Sequence, residues 1–185
     1  MNMTSAFMEY WFEQGNGEEA IKCYNIVKQL VKVREATTVN TLLDLLLKYG
    51  RKTEAWSLFN EVLHSEELRD FNQDTLNIMV NECFKMGQFD QAIQTFNKVK
   101  ASKLKYTLVS CYRNIITRFY ERDMLLEAEQ FFEELCLDRL AYPDVSIYTT
   151  MIDAYLKAGR TVDALRTSDR MVDAFLGRVA WLACL

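Results

Sequence analysis

Apolar and polar residues alternate along this chain with the period of amphipathic helices. One apolar stripe, spaced i, i+3, i+4 and i+7, comprises Val39, Leu42, Leu43 and Leu46. A polar break around Gly50 follows, and a second stripe then comprises Ala55, Leu58, Phe59 and Val62. Such spacing places each set of side chains on one face of a helix. The pattern predicts two helices joined by a tight turn.

This two-helix pattern recurs five times. It aligns on alanines separated by 35, 37, 36 and 36 residues, namely Ala20, Ala55, Ala92, Ala128 and Ala164. Self-similarity at this period is typical of arrays of helical hairpins. We expect repeats at 1–35, 36–72, 73–108, 109–144 and 145–179, followed by an apolar tail at 180–185. The first repeat matches weakly, and the second half of the fifth is degenerate.

Each predicted turn carries a residue suited to the left-handed conformation that closes a helix. These residues are Gly15, Gly50, Gly87, Asp123 and Gly159. The alanine five residues later allows the two helices to cross closely. An aromatic residue four positions further on fills the space between hairpins, at Tyr24, Phe59, Phe96 and Phe132, with Ser168 in the fifth repeat.

The fold class predicted is all-α, a solenoid of about five stacked helix-turn-helix repeats of 35–37 residues with a long concave surface. A single hairpin cannot bury its apolar face alone, so each repeat needs a neighbour. Both ends of the chain, 6–12 and 179–185, are apolar. We therefore expect this chain to be part of a longer array or to dimerise end to end.

Composition narrows the function classes. The net charge is −4 and the sequence pI about 5.2, which argues against wrapping duplex DNA by charge alone but allows a narrow basic track. Five scattered cysteines favour reduced thiols. No apolar run reaches the length of a membrane span, and we expect no transit or signal peptide within this chain.

Catalytic chemistry is not indicated. The chain has no nucleophile–base motif, no Gly-rich phosphate loop and no metal-ligand spacing. His64, the only histidine, is predicted to be a surface side chain between repeats, and Trp56 lies on a second helix, away from the groove. We expect a non-enzymatic protein without cofactor or metal.

Several stretches carry a more specific pattern. They are 145–160 (VSIYTTMIDAYLKAGR), 38–44 (TVNTLLD), 74–79 (DTLNIM) and the dipeptide Pro143-Asp144. The chain resembles the pentatricopeptide repeat family, in its P-type form, along nearly its whole length. The related tetratricopeptide repeat has 34 residues and an early Trp and Gly in its first helix, which are missing here.

The resemblance implies a right-handed superhelix that binds single-stranded RNA, one base per repeat, through the fifth and last residues of each unit. The candidate base contacts are Asn40, Asn72, Asn77, Asp144 and Thr149. Asn40 with Asn72 resembles pairs that prefer a pyrimidine. The remaining pairings are less suited: Asn77 meets apolar Leu108, Arg113 with Asp144 would form an ion pair, and Thr149 is paired with Val179.

Two further positions bear on affinity. The second residue of each repeat, usually apolar in the family, is polar here: Asn2, Thr37, Asp74, Ser110 and Ser146. Lys48, Lys85 and Lys157 recur where the family meets phosphate, although a lysine near a helix C-terminus also favours the helix dipole. Glu13 and Glu121 occupy this position in the other two repeats. We expect weak RNA binding by this chain alone.

Three functional hypotheses remain. The first is RNA binding in organellar RNA metabolism (processing, stabilisation, splicing, editing or translation) in a mitochondrion or chloroplast, as the resemblance implies. The second is a helical-repeat scaffold for protein–protein interaction without direct RNA binding, which the acidic pI and the mismatched pairs favour. The third is an inactive fragment. None of them involves a membrane or a small-molecule substrate.

Overall fold

The computed structural model describes residues 3–30, 35–64, 71–102, 108–138 and 141–182. These residues form ten helices and no strand, which confirms the all-α prediction. The helices are α1 Met3–Glu13, α2 Gly17–Leu30, α3 Ala36–Lys48, α4 Lys52–Leu63, α5 Gln73–Lys85, α6 Phe89–Ala101, α7 Val109–Tyr120, α8 Leu125–Leu137, α9 Val145–Lys157 and α10 Thr161–Leu182. Odd-numbered helices are the first helices of the hairpins and even-numbered ones the second.

The turn between the two helices of a hairpin has the same geometry in all five repeats. Its left-handed residue is glycine in four cases, with φ between 68° and 74°, and Asp123 in the fourth repeat, with φ of 56°. The next residue then donates its N–H to the carbonyl five positions earlier, as Arg51 does to Leu46 at 2.7 Å. This bond satisfies a terminal carbonyl of the first helix, and the predicted turn residues are confirmed.

The core follows the predicted alternation of small and large residues. The five alanines are at most 3% exposed, and the four aromatic residues predicted to separate hairpins are at most 4% exposed. Ser168, which takes the aromatic position in the fifth repeat, is half-buried. The two helices of a hairpin can therefore cross closely because alanine has a small side chain, and the aromatic rings fill the space between hairpins.

The chain divides into two compact units, 1–105 with α1 to α6 and 106–185 with α7 to α10. In the first unit, α1 packs against α3 and α3 against α5. In the second unit, α7 packs against α9. First helices thus lie side by side within each unit, and we call the surface that they form in either unit the first-helix layer of that unit.

Helix α10 is the longest of the described helices and continues to Leu182, beyond residue 179 where the fifth repeat was predicted to end. The side chains of Val179 and Trp181 lie outside the described residues. None of the four described cysteines, Cys23, Cys83, Cys111 and Cys136, belongs to a disulfide. Burial raises the pKa of Cys83 and of Cys136 to about 11, so both remain protonated at neutral pH.

Candidate nucleic-acid interface

The predicted base contacts lie on first helices or immediately before them. Asn40, Asn77 and Thr149 are on α3, α5 and α9, whereas Asn72 and Asp144 are the N-cap residues of α5 and α9. The structure brings Asn40 to Asn72, and Arg113 to Asp144. The two N-caps therefore have a structural role in addition to the one predicted for them.

Asn40 and Asn72 are joined by a direct side-chain hydrogen bond. The Nδ2 group of Asn40 donates to Oδ1 of Asn72 at 3.1 Å. The same oxygen accepts the backbone N–H of Thr75 at 3.0 Å, and the hydroxyl of Thr75 donates to Oδ1 of Asn40 at 2.7 Å. Sequence reasoning missed Thr75, although the Asn72-x-x-Thr75 spacing is a recognisable capping signal.

Asn77 and Thr149 have no comparable partner among the described residues. Oδ1 of Asn77 is buried and accepts no hydrogen bond there. An unpaired buried acceptor costs free energy, so a donor arriving from outside would be stabilised. Thr149 is exposed, and its hydroxyl donates to the carbonyl of Ser146 at 3.0 Å, which leaves its oxygen as an acceptor.

Arg113 and Asp144 form the ion pair that their sequence positions predicted. Asp144 also accepts the backbone N–H of Ile147 at 3.0 Å as the N-cap of α9. The carboxylate is thus engaged by a guanidinium and by a helix N-terminus, both of which stabilise its charge. A base would have to displace Arg113 to use both oxygens of Asp144.

The three predicted phosphate contacts are exposed, yet each has a carboxylate nearby. Lys48 donates to Glu9 at 2.8 Å, and this bond is the main reason why the pKa of Lys48 is raised. Lys85 is 3.9 Å from Glu82 and its side chain is 75% exposed. Their charges are available at the surface but are partly compensated.

Lys157 has the most elaborate surroundings. Its ammonium contacts the hydroxyl of Tyr120, lies 4.3 Å from the centre of that ring, and pairs with Asp153 at 3.0 Å. The hydrogen bond with Tyr120, and then that with Asp153, raises the pKa of Lys157. A cavity of about 210 Å³ opens beside it, lined by Tyr120, Asp123, Leu125, Ala154, Lys157 and Ala158.

Acidic and polar groups share this surface with the lysines. Glu13 and Glu121, which replace the lysine in repeats one and four, are exposed, and Glu121 pairs with Arg118 at 2.9 Å. The second-position residues Thr37, Asp74 and Ser146 are also exposed, whereas Asn2 lies outside the described residues. The first-helix layer of each unit is therefore a mixed surface rather than a uniformly basic one.

Neither a candidate metal centre nor a candidate membrane span is found in the part of the chain that the structure describes. Within it, no group of three or more His, Cys, Asp or Glu side chains is placed to hold a metal ion. None of its helices is both long and apolar enough to cross a membrane. His64 is exposed, with Nδ1 2.6 Å from the carbonyl oxygen of Asn60, in agreement with the predicted surface position.

Comparison with protein families identifies the repeat. The family model described as PPR repeat matches residues 37–65, 74–104 and 146–174. The chain is 46% identical, over 97% of its length, to the pentatricopeptide repeat-containing protein At3g60980, mitochondrial, of Arabidopsis thaliana. It is 48% identical, over 68% of its length, to the pentatricopeptide repeat-containing protein At1g10270 of the same plant. The chain spans 43% and 14% of these two relatives.

A solved structure has the same fold. The crystal structure of the pentatricopeptide repeat protein PPR10 from maize superposes with a TM-score of 0.63 at 18% sequence identity. The match covers 97% of this chain and 24% of that one. The fold of this chain is thus that of a helical-hairpin solenoid.

Proposed function

Because the chain belongs to the pentatricopeptide repeat family, we propose that it binds single-stranded RNA through its first-helix layer. The observation that carries the proposal is the bond between Asn40 and Asn72, the fifth and last residues of the second repeat, which links α3 to the N-cap of α5. Both side chains are half-buried, so they are held in place while part of each amide remains accessible. Amides present donors and acceptors suited to the edge of an unpaired base.

The proposed contacts divide into two kinds. Asn40, Asn72, Asn77 and Thr149 contact base edges, with Asp144 taking part where Arg113 gives way. Lys48, Lys85 and Lys157 contact phosphate, since all three are exposed and recur at one repeat position. Polar second positions reduce base stacking, which contributes roughly 1–3 kcal/mol per base when aromatic, so this chain alone binds weakly.

The name of one relative supports an organellar setting. That relative carries the word mitochondrial in its name, and we place this chain's activity in organellar RNA metabolism, in a mitochondrion or a chloroplast. A protein that recognises an unpaired segment of RNA can serve in its processing, stabilisation, splicing, editing or translation. The role is that of a binding protein rather than an enzyme.

A second candidate function is a protein–protein scaffold. It is favoured by the carboxylates that accompany the lysines, above all Glu9 beside Lys48 and Asp153 beside Lys157. A lysine that is paired with a carboxylate attracts phosphate less strongly than an unpaired one. A scaffold would bind no RNA at any salt concentration, and this separates the two functions.

Binding of a fluorescent single-stranded oligonucleotide, measured by anisotropy at low salt, tests the proposal. We expect the chain to bind the single strand more tightly than a duplex of the same sequence. Asn40→Ala should weaken binding because it removes one amide of the pair. Asn97→Ala, on the exposed surface of the second helix α6, is the matched control and should bind like the parent. Absence of any binding to single strands would favour the scaffold.

A further inference from the structure

Thr75 lies beneath the Asn40–Asn72 pair and contacts both of its members. Its side chain is fully buried. Thr75 is the third residue of the third repeat. The predicted base contacts lie at the fifth and last positions of a repeat, so they did not include it. Its hydroxyl is 2.7 Å from Oδ1 of Asn40 and 3.1 Å from Oδ1 of Asn72, and it accepts the backbone N–H of Asn72 at 3.2 Å.

The chemistry of these groups fixes which way each amide faces. The backbone N–H of Thr75 can only donate, so the atom of Asn72 that receives it must be Oδ1. Asn40 must then direct Nδ2 towards that oxygen. Oδ1 of Asn40 then faces the Thr75 hydroxyl. This hydroxyl has a single proton, and it donates that proton to Oδ1 of Asn40, the nearer of the two amide oxygens.

The acceptor atoms of the pair are therefore directed inwards. Oδ1 of Asn72 receives two N–H groups, and Oδ1 of Asn40 receives a buried hydroxyl. The groups of the pair left without a described partner are N–H donors, one on Asn40 and two on Asn72. A ligand meeting this pair encounters donors.

We propose that Thr75 is a positioning residue for base recognition, which holds both amide oxygens inwards so that the Asn40–Asn72 pair selects a cytosine over a uracil. This inference rests on the proposed RNA-binding function and adds a determinant of its specificity. Cytosine presents two neighbouring acceptors, N3 and O2. Uracil presents an N3–H donor between its two carbonyl oxygens, and a donor facing another donor is unfavourable.

The arrangement is particular to this pair among the described residues. Thr38 holds the same position in the second repeat, but its hydroxyl makes no hydrogen bond to a described residue, and the preceding N-cap Glu35 makes no side-chain cap. In the fifth repeat the position is Ile147, which has no hydroxyl and donates only its backbone N–H to the N-cap Asp144. Thr38 therefore offers a matched control.

The test compares Thr75→Val, Thr75→Ser and Thr38→Val with the parent chain. Valine has nearly the shape of threonine and keeps the backbone N–H that caps Asn72, but it lacks the hydroxyl. For each protein, the dissociation constants of an oligocytidine and an oligouridine of equal length are measured by fluorescence anisotropy. Because the other repeats are unchanged, a change in the ratio of the two constants reports on this pair. Thermal melting followed by circular dichroism shows that each variant is folded.

We expect the parent to prefer oligocytidine, and Thr75→Val to lose about fivefold or more of that preference, because the released oxygen of Asn40 can turn to meet the N3–H of uracil. Thr75→Ser should restore the parent ratio, and Thr38→Val should leave it unchanged. A folded Thr75→Val variant with the parent ratio would overturn the role of Thr75 while leaving RNA binding intact. A parent chain that binds neither oligonucleotide would overturn the proposed function and this inference with it.

Discussion

Lys48 of α3 donates a hydrogen bond to the carboxylate of Glu9 on α1, which lies in the preceding repeat, at 2.8 Å. The ammonium group of Lys48 is therefore already paired with Glu9 before any ligand binds. An RNA phosphate that contacts Lys48 has to compete with Glu9 for the same donors. Affinity for RNA is then limited by a neighbouring repeat as well as by the lysine itself.

Replacing Glu9 should strengthen RNA binding. In Glu9→Gln the competing charge is removed and Lys48 is free to pair with phosphate. We expect the dissociation constant for a single strand to fall by about two- to threefold at low salt, since an exposed ion pair contributes less than about 1 kcal/mol. Anisotropy titrations measure the change directly.

The matched control for net charge is Asp173→Asn, which removes one negative charge from the exposed surface of the second helix α10. It should leave affinity nearly unchanged. If Glu9→Gln and Asp173→Asn have equal effects, the gain comes from net charge and the competition between Glu9 and phosphate is refuted.

Glu129 should make the stability of the second unit depend on pH. Its carboxylate accepts two hydrogen bonds from Arg160, at 2.9 and 3.0 Å, and one from Tyr155 at 3.0 Å. The bonds from Arg160, and then that from Tyr155, hold the pKa of Glu129 below its ordinary value of 4.5. A lowered pKa in the folded state means that the ionised carboxylate stabilises the fold. This contribution is complete above pH 4.5 and is lost as the pH falls through the lowered pKa.

We therefore expect Glu129→Gln to reduce the free energy of unfolding by about 1 kcal/mol at pH 7, after allowance for partial exposure. The loss should shrink towards zero in acid. Urea unfolding at pH 7 and in acid, below the lowered pKa, measures the loss of unfolding free energy under each condition. Glu127→Gln, on the same helix, serves as the control, and an equal loss in both variants at pH 7 would contradict the role assigned to the Arg160 contact.

The parts of the fold that depend on local sequence were predictable, and those that depend on how hairpins meet were not. Alanine spacing and turn residues act within one hairpin, so Ala92 and Gly87 could be placed from the sequence alone. The contact of Lys48 with Glu9 spans 39 positions and depends on the offset between neighbouring first helices. Thr75 lies between these cases, because its capping spacing is local but its bond to Asn40 spans two repeats.

Asp123 offers a test of the turn geometry. It is the one described residue other than glycine with a positive φ, at 56°, and a side chain disfavours that conformation. Asp123→Gly should raise the free energy of unfolding by about 0.5–1 kcal/mol, because the relief of strain exceeds the added freedom of the unfolded chain. The reciprocal change Gly159→Asp, at a φ of 71°, should lower it by a similar amount. Urea unfolding should show that the two variants change the free energy of unfolding in opposite directions. A change in the same direction would contradict the proposed strain at Asp123.

The dependence of RNA binding on salt tests the central claim most directly. A single strand held by lysine–phosphate contacts releases counterions, so the logarithm of the binding constant should fall linearly with the logarithm of salt concentration, with a slope of about −0.7 for each phosphate contacted. The triple variant Lys48→Glu, Lys85→Glu, Lys157→Glu should lose binding. A control with the same change in net charge, Lys22→Glu, Lys98→Glu, Lys100→Glu on the second helices α2 and α6, should retain most of it. Equal binding by the parent and the first variant would contradict the assignment of the first-helix layer as the RNA-binding surface.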